Sequence, residues 1–247
     1  MACYHKVAVA YNGMLVRDEP VWFEHVFKNR LVYYYRGDDT GDVEGYIIYR
    51  YNPHAADTEF LASDLIVSEM IWLNERALKG LLGFLSSQHD QIGSVDYYDH
   101  FNLPMEQLLN EPIMSGGHRS MILGAETAWI GSGLMGRIVQ LRKVLTQGKF
   151  GEGRGKVTLK VKDELQPGNA GQLTVEFDDG GVELNDRRVA ELTMSTDIAT
   201  FSSIYWGALS LRDARYLGMV EIEGKGRDAS FLDTVFSFPK SVCLDYF

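Results

Sequence analysis

Cysteine is scarce in this chain: two residues in 247, Cys3 and Cys243, near opposite ends and forming no CxxC pair. That spacing excludes a disulfide framework and offers no zinc site. Basic residues are outnumbered, 24 Lys and Arg against 34 Asp and Glu, for a formal net charge of −10. Nucleic-acid binding depends on neutralising phosphates with Lys and Arg, so no nucleic-acid partner is expected, whereas the negative field favours a cationic acceptor. There is no run of about 18 apolar residues to span a membrane. The start, MACYHKVAVAYNG, lacks the basic-then-apolar order of a signal peptide, so a cytoplasmic chain is expected. The six histidines (His5, His25, His54, His89, His100 and His118) show neither HxxxH nor HExxH spacing, so no metal is expected. A GxSxG elbow is also missing, as are internal repeats and low-complexity tracts.

What is present is ordinary for a globular protein: 45% apolar and 23% charged residues, with a length that suggests two domains. Near the start, the apolar run Val7 to Ala10 is followed by the turn signal Asn12-Gly13. After Pro20, Val21, Trp22, Val26 and Phe27 have helical spacing. LVYYYR (31–36) and GYIIYRY (45–51) flank turn chemistry at 37–41 and read as a hairpin closed by Pro53; FLASDLIV (60–67) reads as a third strand. Asn74 is placed to cap a helix with Ala77, Leu78, Leu81, Leu82 and Leu85 on one face. A strand at Val95 to Tyr98 completes a β-β-β-α-β order.

The stretch NEPIMSGGH (110–118) marks a linker. Beyond it, residues 121–145 carry helical spacing at Ile138, Leu141, Val144 and Leu145, stopped by Gln147-Gly148. Strands are expected at 156–162 and 171–177, then a turn at 178–181 leads to Val182 and Leu184, and a fourth strand spans 188–194. Their alternation predicts an antiparallel sheet with one solvated face. Thr196 or Asp197 should cap a helix containing Ile198, Phe201, Ile204 and Tyr205. A short helix ends near Gly218, a strand covers 219–223, and a last helix covers 228–236. The fold class is α+β.

Three local patterns suggest chemistry. Gly131-Ser-Gly-Leu-Met-Gly136 is formally GxGxxG, but no crossover helix comes after it, so it reads as a loop and not as a dinucleotide site. Asp96-Tyr-Tyr-Asp-His100 places an acid beside a base, yet first reads as a packed strand edge; Tyr205-Trp206 likewise reads as core. The tail from Phe236 to Phe247 has five large apolar or aromatic side chains, Phe236, Phe238, Leu244, Tyr246 and Phe247. Each would contribute about 1.5–3 kcal/mol on burial, so the tail should dock and fix its terminal carboxylate.

Several strings in order resemble one family. They are Gly45-Tyr-Ile-Ile-Tyr49, Arg137-Ile-Val after a Trp, Gln166-Pro-Gly-Asn169, Tyr216-Leu-Gly218 and the closing Phe247. Together they resemble the C-terminal two domains of the enhanced-intracellular-survival type of GNAT N-acetyltransferases. The resemblance implies a GNAT-like mixed sheet with helices over 1–125, lacking the acetyl-CoA pyrophosphate loop. It implies a sterol-carrier-protein-like antiparallel sheet with helices over 126–247, ending in a functional tail.

By that resemblance the complete enzyme uses acetyl-CoA, held by an N-terminal GNAT domain that is missing here. The chain is then a fragment or a short member, and none of the cofactor is expected on it alone. A Q/RxxGxG/A loop cradles pyrophosphate in the family; the corresponding residues here, Val67 to Asn74, contain no glycine and carry Glu69. The acceptor implied is a small-molecule or peptide amine. The Phe247 carboxylate is implied as general base, with Asp245 and Tyr246 helping to bind the substrate, and burial against Tyr246 and Phe238 is expected to raise its basicity. Relatives form symmetric oligomers, which makes a homo-oligomer an expectation. The alternative is a stand-alone sterol-carrier-like module that binds a hydrophobic small molecule, lined by Ile198 to Leu211, without catalysis.

Overall fold

The computed structural model describes residues 1–38, 41–53, 63–101, 103, 105–108, 135–185, 189–224 and 229–245. The linker at 110–118 therefore lies outside the described residues, as do Tyr246 and Phe247. The chain divides into two compact units. One comprises Met1–Ala10, Met14–Gly133 and Val242–Phe247, the other Tyr11–Gly13 and Leu134–Ser241.

The first unit is built on a four-stranded sheet ordered β1 (Leu31–Arg36), β2 (Val43–Pro53), β3 (Ser63–Trp72) and β4 (Val95–Tyr97). The first three strands are antiparallel, and β4 runs parallel to β3. The Tyr- and Ile-rich stretches form the hairpin that their composition predicts, with Leu31 opposite Tyr49. Helix α1 (Ala2–Ala8) buries Cys3 and Tyr4. A short turn, α2 (Glu19–Val21), opens on the Asp18 side chain, which accepts from the Val21 amide. It passes into a π-helical turn at Trp22–Val26, closed by a Phe27 N to Trp22 O bond of 2.8 Å. Helix α3 (Glu75–Ser87) starts as expected, with Asn74 Oδ1 accepting from Ala77 N at 2.9 Å, and buries Ala77 and Leu81.

Strand β3 corrects the expectation of a strand at 60–67, since it continues through Trp72. The register explains how a carboxylate fits within it. Val67 lies opposite Tyr49, but Glu69 lies opposite Ile48, so Ser68 is the extra residue of a bulge. An extra residue switches the faces of everything after it. Leu65, Val67 and Met70 share a core with Ile47, Tyr49 and Leu81. Glu69 instead shares the opposite face with Tyr46, towards which Trp22 also packs, at 6.4 Å between ring centroids.

The second unit has a five-stranded sheet ordered β7 (Gly181–Asn185), β6 (Gly171–Asp178), β5 (Arg154–Lys162), β8 (Leu192–Asp197) and β9 (Glu221–Gly224). Its helices are α4 (Leu141–Gln147), α5 (Ile198–Tyr205), α6 (Leu211–Tyr216) and α7 (Ser230–Val235). The alternating side chains Val157, Leu159, Val161, Leu173, Val175 and Phe177 enter one core with Phe201, Ile204 and Phe236. Asp179 and Gly180 have φ of 46° and 89°, the two positive angles that a tight type I′ hairpin needs. Asp197 caps α5 through Thr200 N at 2.8 Å.

Two sequence expectations need adjustment. Strand β8 begins at Leu192 and lies parallel to β5, so the sheet is antiparallel apart from that pair. The hairpins β5–β6–β7 occupy one side of β5, and the chain returns to the other side in the same direction as β5. The second face of the sheet is also partly covered: Thr158 and Thr174 are buried, paired at 2.9 Å, and Thr158 Oγ1 accepts from Ala190 N.

Candidate functional site

The most unusual group in the first unit is a buried cluster of charge. Arg17, 3% exposed, precedes α2 and reaches the face of the sheet that carries Glu69. Its Nη1 and Nη2 donate to Glu69 Oε1 and Oε2 at 3.0 and 2.8 Å, a bidentate fork. Its Nε donates to Asp245 Oδ1 at 2.8 Å. Tyr46 OH donates to Glu69 Oε1. The guanidinium carbon also lies 4.2 Å from the Tyr4 ring centroid and 4.8 Å from that of Trp22, two rings set edge to face with each other. Planar Arg is suited to this combination of fork and stacking, whereas Lys is not.

The electrostatics derive from that geometry. Burial opposes the Arg17 charge, but hydrogen bonding and charge from Glu69 outweigh burial, so the guanidinium holds its proton more tightly than usual. Burial pushes the Tyr46 hydroxyl well above its ordinary value, and neighbouring Glu69 adds to this. Burial likewise raises Tyr4 to about 12, and Tyr4 OH donates to Leu15 O at 2.8 Å. One cation faces two carboxylates, giving a formal charge of −1. Among the described residues, Asp245 Oδ2 is buried with no hydrogen-bond partner.

The cluster anchors the tail. Val242 and Leu244 are buried beside it, and the Cys243 thiol approaches Asp245 O at 3.3 Å. Phe236 is buried in the second unit, where Phe238 packs 5.1 Å from Tyr205. Of the three residues that the resemblance brings forward, Asp245 is therefore placed against Arg17, while Tyr246 and Phe247 lie outside the described residues.

Arg17, Tyr46 and Glu69 have no part in the site expected from sequence. One signal for them is present there: a lone carboxylate in the apolar stretch LIVSEMIW, which cannot be buried without a partner. Nothing local marks Arg17 as that partner.

The strand-to-helix junction makes a poor seat for pyrophosphate. Val67 to Trp72, which by resemblance correspond to a loop, belong to β3, and this leaves only Leu73 and Asn74 before α3. Leu73 N is bonded to Glu44 O at 2.8 Å and Ala77 N to Asn74 Oδ1, so two of the local amides are already used. Glu75 adds a carboxylate in the first turn, paired with Lys79 at 2.5 Å. A pyrophosphate needs free amides and no facing anion, so these residues do not fit acetyl-CoA in the manner of a glycine loop.

Other motifs contribute local hydrogen bonds. Asp99 closes a turn by accepting from Phe101 N and Leu103 N at 2.9 and 2.8 Å. In the second unit, Asp163 accepts from Arg137, Asn169, Leu165 N and Gln166 N. Asn169 in turn accepts from Leu141 N at 2.8 Å. Two of the strings that carry the family resemblance thus meet in one polar knot. Ile198, Phe201, Ile204 and Leu211 are buried in the packed core. An open groove of about 1070 Å³ in this unit is lined elsewhere, by Arg154, Lys156, Glu176 and Phe231 among others.

Among the described residues, no group of three or more His, Cys, Asp or Glu is placed to hold a metal ion. No helix among them is long and apolar enough to cross a membrane.

Comparison with known proteins places both halves. Residues 13–138 match the family model of the acetyltransferase (GNAT) domain, and residues 141–244 match that of a sterol carrier protein domain. No curated protein matches. Among solved structures, a conserved Enterococcus faecalis protein described as a "Probable N-Acyltransferase" is similar over 100% of this chain and 58% of its own, with a TM-score of 0.77 at 23% identity. A GCN5-related N-acetyltransferase from Anabaena variabilis gives 0.69 at 21%, covering 100% of this chain and 59% of its own. Eis1 from Mycobacterium abscessus gives 0.64 at 21%, with the same coverage. These likenesses establish the α+β fold, and the chain spans a little under three-fifths of the length of each.

Proposed function

The chain belongs to the GNAT acetyltransferase family, and from that premise we propose that it is the part of an acetyl-CoA-dependent N-acetyltransferase that does not itself hold acetyl-CoA. In this reading residues 1–125 and 126–247 form the scaffold, and the scaffold supplies its own C-terminal carboxylate, on Phe247, as general base for an amine acceptor. A separate GNAT domain would supply the acetyl donor. The observation that supports the proposal is the Arg17 to Asp245 bond, which ties the chain to the GNAT unit two residues before Phe247 in sequence.

The chemistry required of these residues is limited. An ammonium acceptor must lose a proton before its nitrogen can attack an acyl carbon, and a carboxylate held within reach can take that proton. An α-carboxyl group ordinarily titrates at about 3.3–3.7, too low for an effective base near neutrality, and burial raises it towards use. Asp245 and Tyr246 would border the acceptor. The formal −1 charge of the Arg17 cluster and the Asp245 Oδ2, without a partner among the described residues, suit a cation.

Adding two glycines after Phe247 in an active enzyme that contains this chain tests the reading. The expected result is a loss of kcat of about 100-fold or more, the usual contribution of a general base; unchanged turnover would sink the proposal. Calorimetric titration of this chain alone with acetyl-CoA should give no binding heat, and micromolar affinity would overturn the division of labour.

A further inference from the structure

The chain reaches its end through Asp245, and one side chain determines where Asp245 lies. We propose that Arg17 is a positioning residue: its fork locks onto Glu69 while its remaining Nε holds Asp245, so that the chain terminus is presented from a fixed point on the sheet of the GNAT unit. The inference rests on the proposed role of Phe247, because positioning matters only if the terminus acts.

Three features separate this arrangement from an ordinary surface ion pair. First, Arg17 cannot swing away. Its side chain is 1% exposed, two of its nitrogens are committed to Glu69, and the rings of Tyr4 and Trp22 lie within 5 Å of its guanidinium carbon. Second, its anchor is itself anchored. Glu69 sits in the interior of β3, turned to this face by the bulge at Ser68, and Tyr46 from the adjacent strand holds the same oxygen that Nη1 contacts. The donor to Asp245 is thus referenced to two neighbouring strands. Third, covalent geometry limits the reach of the chain beyond Asp245. Each extended residue spans at most about 3.6 Å, so the Cα of a residue two positions beyond a held Asp245 is confined within about 7 Å of it. Val242 and Leu244, both buried, secure the segment from the other side.

The arrangement also explains why the residue is Arg. A lysine would neutralise Glu69, but a single ammonium on a flexible stem cannot present a fork to one carboxylate and a third, divergent N–H to another. Charge balance alone would be met by Lys; holding the tail would not.

The test uses the full chain and two variants, Asp245→Ala and Arg17→Lys. Asp245→Ala leaves the Arg17–Glu69–Tyr46 contacts in place, so the fold survives; Arg17→Lys keeps a cation beside Glu69 but removes the fork and the divergent N–H. Trimming of the C-terminus by a carboxypeptidase is tracked by mass spectrometry, and melting temperature is recorded in parallel. The unaltered chain is expected to resist removal of residues back past Asp245. Both variants are expected to be trimmed at least tenfold faster, Asp245→Ala while melting within a few degrees of the parent. Trimming at the parent rate in both variants, or rapid trimming of the parent past Asp245, overturns the proposal. The outcome is independent of catalysis. If the tail is held as described but the glycine-extended enzyme turns over normally, Arg17 positions a terminus that is not the base, and only the functional reading fails.

Discussion

Arg17 and Glu69 form the kind of pair whose removal costs more than its presence contributes. Two charges in a low-dielectric interior lose hydration that their attraction scarcely recovers, but deleting one partner strands the other. Arg17→Met is therefore expected to destabilise the chain by about 3–5 kcal/mol. Adding Glu69→Leu to it should restore part of that loss, because Glu69 is no longer stranded, although Asp245 stays without its Arg17 donor and Tyr46 without its acceptor. Urea denaturation of both variants checks this; a double variant no more stable than the single one would contradict it. Tyr46→Phe removes one hydrogen bond to a charged acceptor and should cost about 1.5–3 kcal/mol.

At the scale of elements, the agreement between sequence and structure reflects the physics of local pattern. The hairpin at 31–53, the Asn74 cap and the Asp197 cap are legible because turn residues and capping side chains act within a few positions. Strand β3 reads several residues early in sequence because alternation carries no mark of a bulge. Ser68 looks like any polar strand residue, and only the register, with Val67 opposite Tyr49 and Glu69 opposite Ile48, reveals the shift. The parallel β5–β8 pair is likewise invisible, since a parallel partner is chosen by tertiary packing rather than by a turn. The Arg17 site is the extreme case, as its three charged residues are separated by 52 and 228 positions.

The element that ties α4 to its sheet makes a testable counterpart. Asn169 links Leu141 N at the start of α4, Ile138 O and the Asp163 carboxylate. Asn169→Ala leaves these buried groups short of partners, at about 1–3 kcal/mol for each one unsatisfied. A loss of at least about 2 kcal/mol is expected in urea denaturation; a neutral substitution would mean that the knot is dispensable.

At the scale of the whole molecule, the two units differ in how they meet alkaline solution. In the first unit, burial lifts the Cys3 thiol from 9.0 to about 11 and Tyr4 from 10.0 to about 12, and it raises Tyr46, Tyr49 and Tyr97 as well. In the second, the resolved shifts are downward: burial pushes Asp163 and Asp197 up, but their hydrogen bonds outweigh it. The sign of the consequence is fixed by proton counting. Between its ordinary and its raised pKa, each Cys or Tyr keeps its proton when folded and loses it when unfolded, so unfolding releases protons and rising pH favours it. The stability these groups contribute is complete below about pH 9 and declines as pH climbs through 11 to 12. The carboxylates of the second unit are ionised in both states over that range and add no slope. Hydrogen exchange read by mass spectrometry at about pH 8 and, after brief exposure, at about pH 11 should therefore show protection lost first in 43–53 and 63–72, with 154–162 and 171–178 still protected. Equal loss in both sets would show that the buried aromatic hydroxyls and thiol do not govern the alkaline limit. Loss first in the second set would place that limit in groups other than those surrounding Arg17.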